Sequence, residues 1–175
     1  YLLHCVNEET IGSYMAKARR YMDFLLEQKA RGRIRHIGFS SHGKPETLEK
    51  FLNWSDAFEF VQIQLNYLDW TMQNAKRQYE IITEHGLPVW VMEPVRGGRL
   101  ASLGERYDAM LKQARPDWSV PAWAFHWLMG LSGVTMILSG MTTMEQIQGN
   151  VATFQTEEAL TPEERMLLTN AAAGF

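Results

Sequence analysis

Five short apolar runs recur along the chain, and each is followed by a stretch whose apolar residues return at helical spacing. The runs are YLLHCV (1–6), IRHIGFSSHG (34–43), FEFVQIQLNYLD (58–69), LPVWVMEPV (87–95) and VTMILSG (134–140). Between the first two, Ile11, Met15, Ala18, Met22, Leu25 and Leu26 predict one amphipathic helix stopped at Gly32. KPETLEKFLNWS, NAKRQYEIITEHG, VPAWAFHWLMGLSG and TTMEQIQGNVATF supply the remaining partners, while residues 96–119 read as a long loop. The closing segment TPEERMLLTNAAA has Thr161 as a helix cap, Pro162 at the first helical position and Glu164 three residues beyond the cap.

Strands that are apolar on both faces and alternate with helices predict a parallel sheet covered by helices, the α/β class. Two architectures satisfy that order. A doubly wound nucleotide-binding sheet would carry G-x-G-x-x-G after a strand, and the chain has none. A (β/α)8 barrel gathers polar functional residues at the carboxyl ends of its strands. Here His4, Ser40, Ser41, His42, Gln62, Gln64, Asn66, Glu93 and Ser139 stand at or near those ends. Each alone also reads as a turn, cap or internally satisfied residue, but Gln62 lies within FVQIQL, where a buried amide needs partners.

Composition removes several function classes. A net charge of −3 with dispersed Lys and Arg gives no basic stripe for nucleic acid. No apolar stretch reaches the roughly 20 residues of a membrane span, so no membrane partner is expected. The single cysteine, Cys5, rules out an internal disulfide framework and suits a reducing, cytoplasmic setting. The histidines share no metal-ligand spacing, and no metal site is expected.

Taken in order, YLLHCV, RIRHIGFSSHG, FVQIQLNYLD, VWVMEPVRGGRL and VTMILSGMTTMEQIQGNV resemble the fourth to eighth strands of the aldo-keto reductase family. MEPVRGGRL points to a bacterial branch whose members often continue into a ferredoxin-like segment, so an iron–sulfur cluster is expected only beyond this chain. The resemblance implies a TIM (β/α)8 barrel, present over residues 1–175 as about five βα units, the carboxyl-terminal portion. It also implies that the first strands, with the family's catalytic Asp, Tyr and Lys, lie upstream of Tyr1.

The implied activity is NADP(H)- or NAD(H)-dependent reduction of small aldehydes or ketones, or the reverse oxidation of an alcohol. His4 matches the family histidine that orients the substrate carbonyl. Ser40, Ser41 and Gln62 match the side chains that hold the nicotinamide carboxamide, Ser41 standing where asparagine is common. Pro94, Val95, Gly97 and Gly98 fall in the pyrophosphate loop, with Arg96 or Arg99 as added charge, and Met92 replaces a stacking aromatic residue. Gly140, Met141, Thr143, Gln146 and Asn150 match the adenosine end. Strict NADPH users carry cations where Gly140 and Gln146 stand, so either cofactor is expected. Alone, the chain is expected to be inactive for want of a tyrosine proton donor. It is also expected to need the missing half-barrel, or another chain, over its open edge. The alternatives are a non-catalytic nicotinamide-binding or assembly module and an unrelated parallel α/β protein.

Overall fold

A computed structural model describes residues 1–156 and 158–174. Five strands, β1 (Leu2–Val6), β2 (Gly38–Ser41), β3 (Phe60–Gln64), β4 (Val89–Met92) and β5 (Val134–Ile137), pair in parallel in the order β1-β2-β3-β4-β5. Parallel pairing of consecutive strands requires every connection to return across the sheet, and the helices make those returns. All five carboxyl ends therefore line one edge.

The two faces of the sheet differ. Phe39, Val61, Ile63, Val89 and Val91 are wholly buried beneath α3 (Pro45–Leu52), α5 (Ala75–Glu84) and α7 (Val120–Met129). Leu48, Phe51, Ile81, Ile82 and Leu128 meet them from the helix side, each burial contributing about 1.5–3 kcal/mol. Phe39, Phe51 and Phe58 form an aromatic triangle with centroids 4.7–5.2 Å apart. The opposite face carries Gln62, Gln64, Trp90 and Met92 half-buried and Met136 41% exposed. Phe60 stacks on Trp90 there at 3.9 Å.

The sequence predicts one helix over 11–31, and the chain forms α1 (Ile11–Met15), a 3-10 turn (Lys17–Arg19) and α2 (Tyr21–Ala30). The break sits at Arg20, whose φ is +50°, and it leaves Leu26 45% exposed. An unbroken helix would run about 30 Å, against about 17 Å for a five-residue strand, so a return segment of that length has to fold. The expected loop at 96–119 contains a 3-10 turn (Arg99–Ala101) and α6 (Glu105–Ala114). α6 buries only Leu111, although Tyr107, Met110, Leu111 and Ala114 recur at helical spacing along it. A short α4 (Asp69–Met72) follows β3, and α8 (Met144–Phe154) and α9 (Pro162–Ala172) close the chain. The capping box expected at Thr161 and Glu164 is present. Among the described residues no helix is long and apolar enough to cross a membrane.

Candidate functional site

β1 is irregular where it presents His4. Its register against β2 shifts between Leu3 and Val6, and Cys5 takes a φ of +60°. Side chains hold the bulge: the Cys5 N–H donates to Ser40 Oγ at 2.8 Å, Thr10 Oγ1 donates to the Cys5 carbonyl at 2.7 Å, and Tyr14 OH donates to the His4 carbonyl at 2.7 Å. A bulge re-aims a side chain, and the His4 ring is left exposed. It stands 6.2 Å, edge to face, from the ring of His42. Burial, and then the charge of His4, hold the His42 imidazole below the usual histidine range.

Ser40 pairs in register with Gln62, and Gln62 with Trp90. Strand alternation therefore puts Ser40 and Gln62 on the half-open face. The Gln62 amide donates to Met92 Sδ at 3.4 Å, a weak acceptor, and its oxygen has no partner among the described residues. Ser41 points to the other face. It is 2% exposed, its hydroxyl lacks a partner among the described residues, and it borders a cleft of about 350 Å³ with Glu8, His42 and Gln64. Ser40 and Ser41, expected to act together, are thus separated by the strand.

A buried polar cluster ties the end of β3 to the loop after β4. Asp69 is fully buried, and its Oδ2 accepts from Gln64 Nε2 at 2.8 Å and Asn66 Nδ2 at 2.7 Å. Its Oδ1 faces Arg96 Nε at 3.3 Å, an ion pair without hydrogen-bond alignment. Asn66 Nδ2 also donates to the Glu93 carbonyl at 3.0 Å, and Asn66 Oδ1 accepts the Asp69 N–H at 2.8 Å. The loop holding Pro94 and Val95 has positive φ at Glu93 (57°), Arg96 (50°), Gly97 (60°) and Gly98 (89°). A side chain at Gly98 would meet nothing within 4 Å, so backbone conformation rather than crowding requires glycine there. The same openness leaves the backbone approachable, and the Gly97 N–H has no acceptor among the described residues.

After β5, Gly140 lies in open space and Met141 is 42% exposed. Thr143 caps α8 by accepting the Gln146 N–H at 3.3 Å, while Gln146 Oε1 accepts the N–H groups of Thr142 at 2.7 Å and Thr143 at 3.2 Å. The oxygen of Gln146 is therefore committed to the helix start. Asn150 Nδ2 donates to Ser139 Oγ at 3.3 Å.

The sequence reading overlooked Asp69 and the bracing roles of Thr10 and Tyr14. An Asn66-x-x-Asp69 spacing at a strand exit was the available signal for Asp69, because asparagine there accepts the backbone N–H three residues on. Nothing local marks Tyr14 as the partner of a carbonyl ten residues earlier.

The family model described as "Aldo/keto reductase family" matches residues 1–171. A curated relative, the NADH-specific methylglyoxal reductase of Escherichia coli (strain K12), is 27% identical over 154 residues, covering 73% of this chain and 46% of the relative. Among solved structures, the holo form of aldo-keto reductase AKR11C1 from Bacillus halodurans superposes with a TM-score of 0.74 at 23% identity, covering 98% of this chain and 57% of that one. An aldo/keto reductase from Brucella melitensis gives 0.72 at 19% identity, with 98% and 60% covered. These neighbours are TIM barrels, so the five-stranded sheet has the fold of part of such a barrel. The chain spans about half the length of the relatives it matches.

Proposed function

Because the chain belongs to the aldo/keto reductase family, we propose that it forms the part of an NAD(P)(H)-dependent oxidoreductase that holds the nicotinamide dinucleotide and orients the carbonyl of a small aldehyde or ketone. The observation carrying this reading is that the polar residues at the strand ends share one edge of the sheet, with Ser40 and Gln62 on the same face.

The residues present suit such a cofactor. Gln62 has a free carboxamide oxygen to accept, and Ser40, wholly buried and accepting from the Cys5 N–H, keeps its hydroxyl proton to donate, the pairing an amide ring substituent requires. Ser41 would contribute from the cleft side of β2, and only through a hydroxyl. The exposed backbone at Gly97 and Gly98, with Arg96 beside it, suits a pyrophosphate, whereas Pro94 is buried and Val95 half-buried. Gly140, Met141, Thr143, Gln146 and Asn150 surround the start of α8, where an adenosine would lie. When bound, the nicotinamide would supply hydride. His4, aimed by the β1 bulge, would donate a hydrogen bond to the substrate oxygen as charge develops on it. The proton for that oxygen would come from a family-type tyrosine in a further portion of the protein.

Residues 138–150 include Glu145 and neither lysine nor arginine. A 2′-phosphate finds no cation there, which favours NADH over NADPH. Oxidation of NADH and NADPH by the full-length protein, with methylglyoxal and related small carbonyls, tests the proposal. Carbonyl-dependent oxidation is expected with NADH at least, and none with either cofactor, across a panel of aldehydes and ketones, would overturn it.

A further inference from the structure

We infer that Asp69 is a positioning residue for the phosphate loop: it holds Arg96 beside the Gly97–Gly98 backbone before any ligand arrives. The inference rests on the proposed reading of that loop as the pyrophosphate site.

Four features support it. Asp69 is completely buried, and its two oxygens are divided between tasks. Gln64 and Asn66 occupy Oδ2, which fixes the plane of the carboxylate and leaves Oδ1 to Arg96. Arg96 retains 19% side-chain exposure, so the side chain as a whole is neither lost in the interior nor free in water. Two non-glycine residues of the loop, Glu93 and Arg96, adopt left-handed backbone conformations that persist only when neighbours impose them. The neighbours here are the Asn66 amide on the Glu93 carbonyl and the Asp69 carboxylate on Arg96.

The chemical consequence is preorganisation. An exposed arginine on a glycine-rich loop would sample many rotamers, and binding an anion would have to freeze it. Held by charge at Nε, the guanidinium keeps its terminal nitrogens as donors while Asp69 restricts the region from which they approach. The bound pyrophosphate would thus meet one arrangement of Arg96 and of the unclaimed Gly97 N–H.

The test is a double-mutant cycle in the full-length protein, reading dissociation constants for NADH and for ADP-ribose, which carries the pyrophosphate without the nicotinamide. Asp69→Asn and Arg96→Gln are each expected to weaken both ligands roughly tenfold, about 1.4 kcal/mol. If Asp69 acts through Arg96, adding Asp69→Asn to Arg96→Gln weakens binding no further. Additive losses, or an Asp69→Asn protein that folds and binds ADP-ribose normally, would overturn the inference. Should Asp69→Asn fail to fold, Arg96→Gln decides alone, since normal ADP-ribose binding by that variant removes the route through Arg96 on which the inference rests. Failure of the unmodified protein to bind NADH, NADPH or ADP-ribose would instead sink the underlying reading of the loop.

Discussion

His4 separates two roles that one residue can combine. Its carbonyl is held by Tyr14 and its neighbour's N–H by Ser40, so the strand does not depend on the imidazole. His4→Ala is therefore expected to leave the melting temperature nearly unchanged while lowering kcat of the full-length enzyme by roughly 10²–10³-fold, the usual loss of one donor to a developing oxyanion. Steady-state kinetics beside a thermal melt would check both halves. Glu59 is the complementary case, far from the strand carboxyl ends. Hydrogen bonds from Lys29 first, then from His36, pull its carboxyl down to about 2. A carboxylate more acidic folded than unfolded stabilises the fold above its unfolded value near 4.5 and loses that contribution as pH falls toward 2. Glu59→Gln is thus expected to lower the melting temperature above pH 5, with the difference from the unmodified protein shrinking below pH 4. A pH-independent difference would contradict the ion-pair origin.

Among the secondary-structure elements, termini are more legible than interiors. The Thr161–Glu164 capping box was readable because it depends on residues three apart, and the structure shows Glu164 N–H donating to Thr161 Oγ1 at 3.2 Å and Thr161 N–H to Glu164 Oε2 at 2.8 Å. Thr161→Ala is expected to destabilise the protein by about 1 kcal/mol, measured by denaturant unfolding. β1 to β4 were legible for a related reason, since a strand buried beneath helices must be apolar whatever its neighbours, while β5, with no buried residue, was legible from its apolar and β-branched residues. The split between α1 and α2 was not, because the apolar spacing of residues 11–26 continues across the break and only the short strand beneath shows that the helix has to fold. α6 was missed although Tyr107, Met110, Leu111 and Ala114 keep helical spacing, because Gly97, Gly98 and Gly104 ahead of it mark the stretch as a loop. At the site, the residues on the sheet edge were legible by position, but the face each one takes was not. Ser40 and Ser41 are adjacent in sequence and opposed in space, and Gln146 spends its oxygen on capping α8.

At the scale of the whole molecule, a five-stranded parallel sheet with one face packed under helices and the other half-open has the fold of part of a TIM barrel. Its open face carries Trp90, Met92 and Met136, which in a complete barrel would point into its interior. On the reading proposed here, the 175-residue chain by itself is expected to show no carbonyl-dependent oxidation of NADH or NADPH, because the tyrosine acid lies elsewhere. Turnover by that purified chain would place a proton donor within it and contradict the assignment of roles. The most direct test of the central claim, that the strand carboxyl edge holds a nicotinamide dinucleotide, is a fluorescence titration of the full-length protein with NADH and NADPH, repeated for Gln62→Ala. Saturable binding, tighter for NADH and weakened by the substitution, is the result expected; absence of saturable binding, or equal affinity in the folded Gln62→Ala protein, would contradict it.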